Sequence, residues 1–543
     1  MNRKLFSSRN NLQRRTPATD TRNNAGGVAY SLSNQAALAQ YAVTGTFQDT
    51  FYVGAKDHLK KVEQLAQGCP SDFIAKLAVY SRQHGRMKDM PAYLLAVLAS
   101  RNETALVKKV FPLVCNNSKV LFAFTRIIRS GAVGRTSFGT AIKRLIQDWI
   151  TGRHPKSLYL ASVGHSDPSM ADVIKMVHPR PQTDEQSAMF KYLLGRDCDT
   201  SLLPADIQTF EQLKRGQTSD IPDIPFRALT NCDLSTAQWK QIALNMPWNT
   251  LRQNLNMLAR RGVYDDRGLV RNLAVKLADE EEVVANNAFP FELLATWKAT
   301  KGQIPIELTN VIQEALEVST RNVPSLPGDT LVAVDVSGSM CGSPVTGNGG
   351  KPSIVTVVEC AALIACSILR NNKTAMLVGF DSAGSGRWHR RSRASVTLMD
   401  GLYGMEHLNP FDSVMTNVEK MNFNGGGTDV SLPFQYINQQ GTRVDNVILL
   451  SDYESWSGRS YGWGSHSHAG ACAEWVKYQS KNRKAHLACV DLQPNDTTQV
   501  PDSVGQVMNI GGWNDPMFQV LGEFFNREAN TDFVSVIEGS VDI

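Results

Sequence analysis

From about residue 55 to residue 320, apolar side chains recur three and four apart, interrupted by short polar breaks. KDHLKKVEQLAQ (56–67), PSDFIAKLAVYSRQ (70–83), MPAYLLAVLAS (90–100), ALVKKVFPLVC (105–115) and SKVLFAFTRIIRS (118–130) all carry this period. TAIKRLIQDWI, ADVIKMVHP, EQSAMFKYLLG, TLRQNLNMLARRG and PFELLATWKA continue it. The pattern predicts amphipathic helices of about 10–15 residues and almost no strand. After the loop residues Asn322–Gly328 the rhythm changes. TLVAVDVS, TAMLVGFDS, DNVILLSDYES and AHLACVDLQP read as strands. SIVTVVECAALIACSILR, NPFDSVMTNVEKM, TDVSLPFQYINQQ, GACAEWVKYQSK and PMFQVLGEFFNRE read as the helices between and after them.

Short helices in antiparallel pairs predict an all-α solenoid of HEAT-like repeats, whose extended surface suits a long ligand. The repeat is not crisp, so an irregular helical domain is the alternative. Strands alternating with helices predict a parallel α/β sheet covered on both faces. Such sheets bind ligands at the carboxyl ends of their strands, where Asp335 and Asp452 fall.

A chain of 543 residues predicts two to four domains. It has no run of about 20 apolar residues, so no membrane span is expected. MNRKLFSSRNNLQRRTPATD is basic and polar, without the apolar centre of a signal peptide, and is expected to be a flexible arm. Its arginines either touch nucleic acid or are simply solvated. The nine cysteines form no CxxC pair and read as free thiols of a reducing compartment, so a cytoplasmic location is expected.

Charge separates the two rhythms. Residues 1–325 hold 41 Lys and Arg against 29 Asp and Glu, a net of +12, while residues 326–543 hold 15 against 22, a net of −7. A basic part joined to an acidic part predicts two tasks, one of them on a polyanion. Solvated basic helix faces are the plainer explanation.

Three pieces can converge at the strand ends: Asp335-x-Ser337-x-Ser339, Thr428 after three glycines at the expected start of a helix, and Asp452 at the end of LLSD. Two carboxylates and three hydroxyls are hard oxygen donors of the kind Mg²⁺ takes, with the neutral ligands leaving it ready for one more acidic oxygen. Without thiolate or imidazole the set does not suit zinc. The competing reading makes DVSGS a turn and the Thr-Asp pair a helix cap. The full pattern resembles the von Willebrand factor A domain and its metal-ion-dependent adhesion site. In that family the hydroxyls bind metal directly and the aspartates often act through water.

The helical half resembles the TROVE module of the Ro autoantigen family. The matching pieces run in order: GRTSFGTAIKRLIQDWI (134–150), VGHSDPSMADVIKMVHPRP (163–181), NMPWNTLRQNLNMLARRGV (245–263) and AFPFELLATWK (288–298), then DTLVAVDVSGSM. The chain is thereby similar to Ro proteins of the bacterial kind. The resemblance implies a flexible basic arm (1–23), a ring of HEAT-like helix pairs (24–325) and an A domain (326–543). It also implies Y RNA on the outer basic surface and single-stranded 3′ ends of misfolded RNA passing through the ring. A degradation tether to polynucleotide phosphorylase and an acidic protein ligand at the A-domain metal are further implications. The loops CGSPVTGNGGKPS and SWSGRSYGWGSHSHAG depart from the animal proteins.

Lys175, His178 and Arg180 match the family's Y RNA site; His178 could equally cap its helix through the dipole. Lys143 and Arg144 sit opposite an apolar stripe and could face phosphate, as could Arg126, Arg129 and Arg135, or all five could be solvated. Arg260 and Arg261 are similar. Trp149 and Trp248 read as core, and His466 and His468 as part of a mobile loop. No GxxxxGK[ST] or HExxH motif occurs and Ser337 has no evident base, so no enzyme activity is expected. The rival to an RNA scaffold is a protein adaptor using the metal site without RNA.

Overall fold

The computed structural model describes residues 16–44, 54–164, 167–286, 288, 290–346, 352–382, 396–421, 425–455, 470–493, 495–512, 515–526 and 532–543. His466, His468 and most of the expected arm and of the two departing loops lie outside the described residues. The chain forms two compact units. One comprises residues 1–68, 289–291 and 320–539, and the other residues 69–288, 292–319 and 540–543.

The first unit contains strands β1 (Thr21–Arg22), β2 (Val28–Ser31), β3 (Thr330–Asp335), β4 (Pro344–Thr346), β5 (Pro352–Thr356) and β6 (Met376–Phe380). They are followed by β7 (Val396–Met399), β8 (Leu402–Gly404), β9 (Asn446–Ser451), β10 (His486–Asp491), β11 (Thr497–Thr498) and β12 (Val507–Gly511). Seven of these make one sheet in the order β12-β10-β9-β3-β6-β8-β7. The five from β12 to β6 are parallel. β8 and β7 add an antiparallel hairpin at one edge.

Every residue of β3 and β9 is buried. That explains their uninterrupted apolar runs, because a parallel strand covered on both faces has no polar side. Leu331 and Ala333 join Val447, Leu449, Phe434 and Trp475 in one core cluster. Helix Val357–Asn371 packs on β3. Its start is a capping box between Thr356 and Glu359. SIVT, expected in this helix, is instead β5, paired antiparallel with β4. Its β-branched side chains suit a hairpin, and the helix begins only at the cap.

The N-terminal hairpin and helices α1 (Asn34–Thr44) and α2 (Ala55–Gln67) belong to this unit. β2 pairs with β11, extending a small sheet to the chain's first strands. Residues from 16 to 23, read from sequence as arm, hydrogen bond here: Tyr30 Oη donates to Pro17 O at 3.0 Å and Ser31 N–H to Asp20 Oδ1 at 2.8 Å.

The second unit is helical, with no strand among its described residues. It opens with α3 (Ser71–Gln83), α4 (Asp89–Ser100), α5 (Thr104–Val114), α6 (Ser118–Arg129), α7 (Gly139–Thr151), α8 (Pro155–Ser162), α9 (Met170–Val177) and α10 (Asp184–Leu193). α3 packs on α4 and α5, α4 on α6, α5 on α7, α6 on α8, α7 on α9 and α8 on α10. Helix against next-but-one helix is the stacking of a solenoid of hairpins. α4 is apolar nearly all round and buried from Met90 to Ala99. Trp149 and Trp248 are core side chains, and their indole N–H groups donate to Cys115 O at 2.6 Å and Leu277 O at 3.1 Å.

Trp248→Ala removes a fully buried ring and leaves Leu277 O without its donor. Unfolding in urea is expected to show a loss of about 3–5 kcal/mol.

Candidate functional site

β3 is the middle strand, flanked by β9 on one side and β6 on the other. The chain leaves β3 toward β6 and leaves β9 the other way, toward β10, so the crevice beyond the carboxyl ends of β3 and β9 is a topological switch point. Asp335 ends β3, and Asp452 follows the last residue of β9. The two loops that complete the edge touch through backbone: Gly338 N–H donates to Gly426 O at 2.9 Å and Gly425 N–H to Val336 O at 3.1 Å. Gly425 sits at φ 69°, a conformation glycine adopts without cost, and a Cβ on Gly338 would meet Gly426 O at 3.3 Å. The close approach asks for glycine at 338, and the positive φ asks for it at 425, before Thr428. Thr428 itself precedes its helix rather than opening it: that helix runs Leu432–Gln440.

Asp335, Ser337, Ser339, Thr428 and Asp452 are all buried. Ser337 N–H donates to Asp335 Oδ1 at 2.9 Å, and the Ser337 and Ser339 hydroxyls are 3.2 Å apart. Ser451 Oγ donates to Asp335 Oδ2 at 2.6 Å, a partner the sequence reading did not assign although it stands next to Asp452. Glu454 N–H donates to Asp452 Oδ1 at 3.2 Å, while Asp452 Oδ2 is buried without a hydrogen-bond partner.

Burial, and then the charge of Asp452, push the Asp335 carboxyl up to about 7. Burial likewise raises Asp452. Glu454 is raised to about 7 by burial and by Asp452, and Asp491 stands well above the usual carboxylate range through burial. Two buried carboxylates, one with an orphan oxygen, beside three hydroxyls make a donor set that fits a hard divalent cation. Among the described residues no cluster of three or more His, Cys, Asp and Glu is arranged to hold a metal, in keeping with a set that is mostly hydroxyl.

In the helical unit, Lys143 and Arg144 are exposed on α7 while Ile142, Ile146, Trp149 and Ile150 are buried. Lys175, His178 and Arg180 are exposed at the end of α9. Gln147 Nε2 donates to Val177 O at 2.6 Å, tying α7 to this end of α9, so the two basic groups lie on neighbouring, joined helices. His178 is the C-cap at φ 51°, with its N–H on Ile174 O, and its side chain is exposed. Arg126 lies 4.0 Å from Asp89, both exposed, and Arg129 donates to Thr136 O at 3.2 Å. Arg135 spends its guanidinium on Ala99 O, Ser137 O and Phe138 O at 2.5–2.6 Å. Arg261 lies over the Trp239 ring at 5.0 Å.

Residues 329–525 match the family model of the Ro60 von Willebrand factor A domain. Two relatives bear the name RNA-binding protein RO60. One, from Deinococcus radiodurans, is 24% identical over 81% of this chain and 84% of that protein. The other, from Caenorhabditis elegans, is 19% identical over 92% of this chain and 89% of that protein. The chain thus carries a Ro-type A domain over residues 329–525 and is similar to Ro proteins over most of its length. The crystal structure of the Deinococcus radiodurans Ro protein has the same fold, with a TM-score of 0.63 and 19% identity over 92% of this chain and all of that one. Among the described residues, no helix is long and apolar enough to cross a membrane.

Because the folded Asp335 carboxyl is raised above its unfolded value, it favours the folded state at low pH, and that contribution is lost as pH rises toward about 7. In chelator, Asp335→Asn is therefore expected to raise Tm at pH 8 and to change it little at pH 4. A thermal scan at both pH values measures this.

Proposed function

We propose that this chain is an RNA-binding scaffold whose helical unit carries the RNA and whose A domain carries a divalent cation. The observation that carries the reading is the joined pair of exposed basic helices, α7 with Lys143 and Arg144 and α9 with Lys175, His178 and Arg180, in a chain whose relatives are named RNA-binding proteins. Lysine and arginine neutralise phosphate and release counterions, giving affinity with little sequence reading. By resemblance, the ligand of this surface is a Y RNA, and single-stranded 3′ ends of misfolded RNA are taken separately, through a ring. The same resemblance makes the protein a cytoplasmic scaffold for RNA quality control, tethering an exoribonuclease such as polynucleotide phosphorylase.

In the A domain, Asp335, Ser337, Ser339, Thr428 and Asp452 would hold Mg²⁺. The ion would supply a Lewis-acidic position for a carboxylate of a protein partner. The chain's own part is to bury the donors and present their oxygens together. RNA phosphate is the poorer ligand there, because residues 326–543 carry a net −7.

Neutralising about six phosphates on a single strand gives a log–log salt slope near −4. Full-length protein is expected to show this in filter binding. A flat response would leave the protein-adaptor reading standing instead.

Lys175→Ala with His178→Ala is expected to weaken binding of Y RNA by about tenfold, with a much smaller effect on a bare single-stranded 3′ end. Equal losses in gel-shift titrations would mean one shared surface.

A further inference from the structure

We propose that the N-terminal hairpin is part of the cation edge, with Asn23 and Asn24 as positioning residues for the loop that carries Asp452. The inference rests on the divalent-cation reading above. It starts from the backbone of residues 452–455. Tyr453 is a non-glycine residue at φ 56°, fully buried, directly after Asp452. A left-handed turn at a bulky residue costs about 1–3 kcal/mol and persists only when its surroundings hold it.

The surroundings here come largely from the other end of the chain. Asn23 Nδ2 donates to Tyr453 O at 3.2 Å and Ser455 O at 2.8 Å. Asn24 Nδ2 donates to one Glu454 carboxylate oxygen at 2.7 Å and Ala25 N–H to the other at 2.9 Å. Asn23 is itself fixed, its Oδ1 accepting from Gly27 N–H at 2.8 Å. The hairpin is anchored by the pairing of β2 with β11, and Gln499 Nε2 reaches both Val28 O and Tyr453 O at 3.4 Å.

The held loop orients its own ligand and touches the segment that carries Thr428. Glu454 N–H donates to Asp452 Oδ1, and Ser455 Oγ donates to Thr428 O at 3.1 Å. Asn23 therefore grips a loop through which Asp452 and Thr428, from separate segments, are placed. Glu454, the carboxylate nearest in sequence to Asp452, has both oxygens engaged by the hairpin. The arrangement is the outer layer of a metal site: groups that touch no ion but orient those that do, whose loss costs about 10–100-fold in affinity.

The test is Mg²⁺ titrated by calorimetry into full-length wild type, Asn23→Ala and Asn24→Ala, each stripped with chelator, with Tm in chelator measured alongside. The expected result is a Kd raised about 10–100-fold for Asn23→Ala and severalfold for Asn24→Ala. A purely structural role would lower Tm in chelator and leave Kd alone, which overturns the proposal. Asn24 is exposed, so Asn24→Ala carries the test if Asn23→Ala fails to fold. Wild type that binds Mg²⁺ with both variants unchanged overturns this inference alone. Wild type that binds no Mg²⁺ overturns the cation reading and this inference with it.

Discussion

Two carboxylates buried side by side are the constraint around which the first unit is arranged. Asp335 and Asp452 lie at the ends of adjacent parallel strands, essentially without solvent. Like charges in such a place repel, and each has lost its hydration. The fold answers with donors: Ser337 N–H and the Ser451 hydroxyl on Asp335, and Glu454 N–H on Asp452. The apolar strands explain why these acids are there at all. A strand covered on both faces can place a polar side chain only where the sheet stops. The loops that bring in Thr428 must then come close enough for backbone to meet backbone, which asks for glycine at 338.

The helical unit solves a different problem. Helices stacked on their next-but-one neighbours bury one stripe or, like α4, nearly their whole surface, and α7 and α9 leave a face to water. On α7 and α9 that open face carries the basic side chains, and Gln147 holds the two helix ends together. Chemistry on this unit is thus a property of a surface. In the first unit it belongs to a strand edge whose carboxylates and hydroxyls are buried.

Much of this was legible in the sequence. The runs TLVAVD and NVILLS announce buried strands, and Asp335 and Asp452 fall at the strand ends that those runs imply. Trp149 and Trp248 sit at core positions of the helical period. Other features were not legible. SIVT reads equally well as the first turn of the apolar helix behind it, and only the Thr356–Glu359 cap separates them. Arg135 looks like any basic loop residue, since one of its three carbonyl partners, Ala99 O, depends on how α4 passes the loop before α7. Ser451 stands beside Asp452 with no mark of its own. The destination of Asn23 is a contact across 430 residues, which no local pattern encodes.

That separation has a consequence for how the protein is made. The first unit is discontinuous: its opening strands are synthesised before nearly all of the helical unit, and the sheet that receives them after it. At a translation rate of roughly 5–20 residues per second, Asn23 is synthesised about 20–90 s before Tyr453 exists. The helical unit has its own local, next-neighbour contacts and can form in that interval. The N-terminal hairpin must wait through it with β2 unpaired on one side. The edge that gathers Asp335, Thr428 and Asp452 is therefore among the last parts of the nascent chain to be closed.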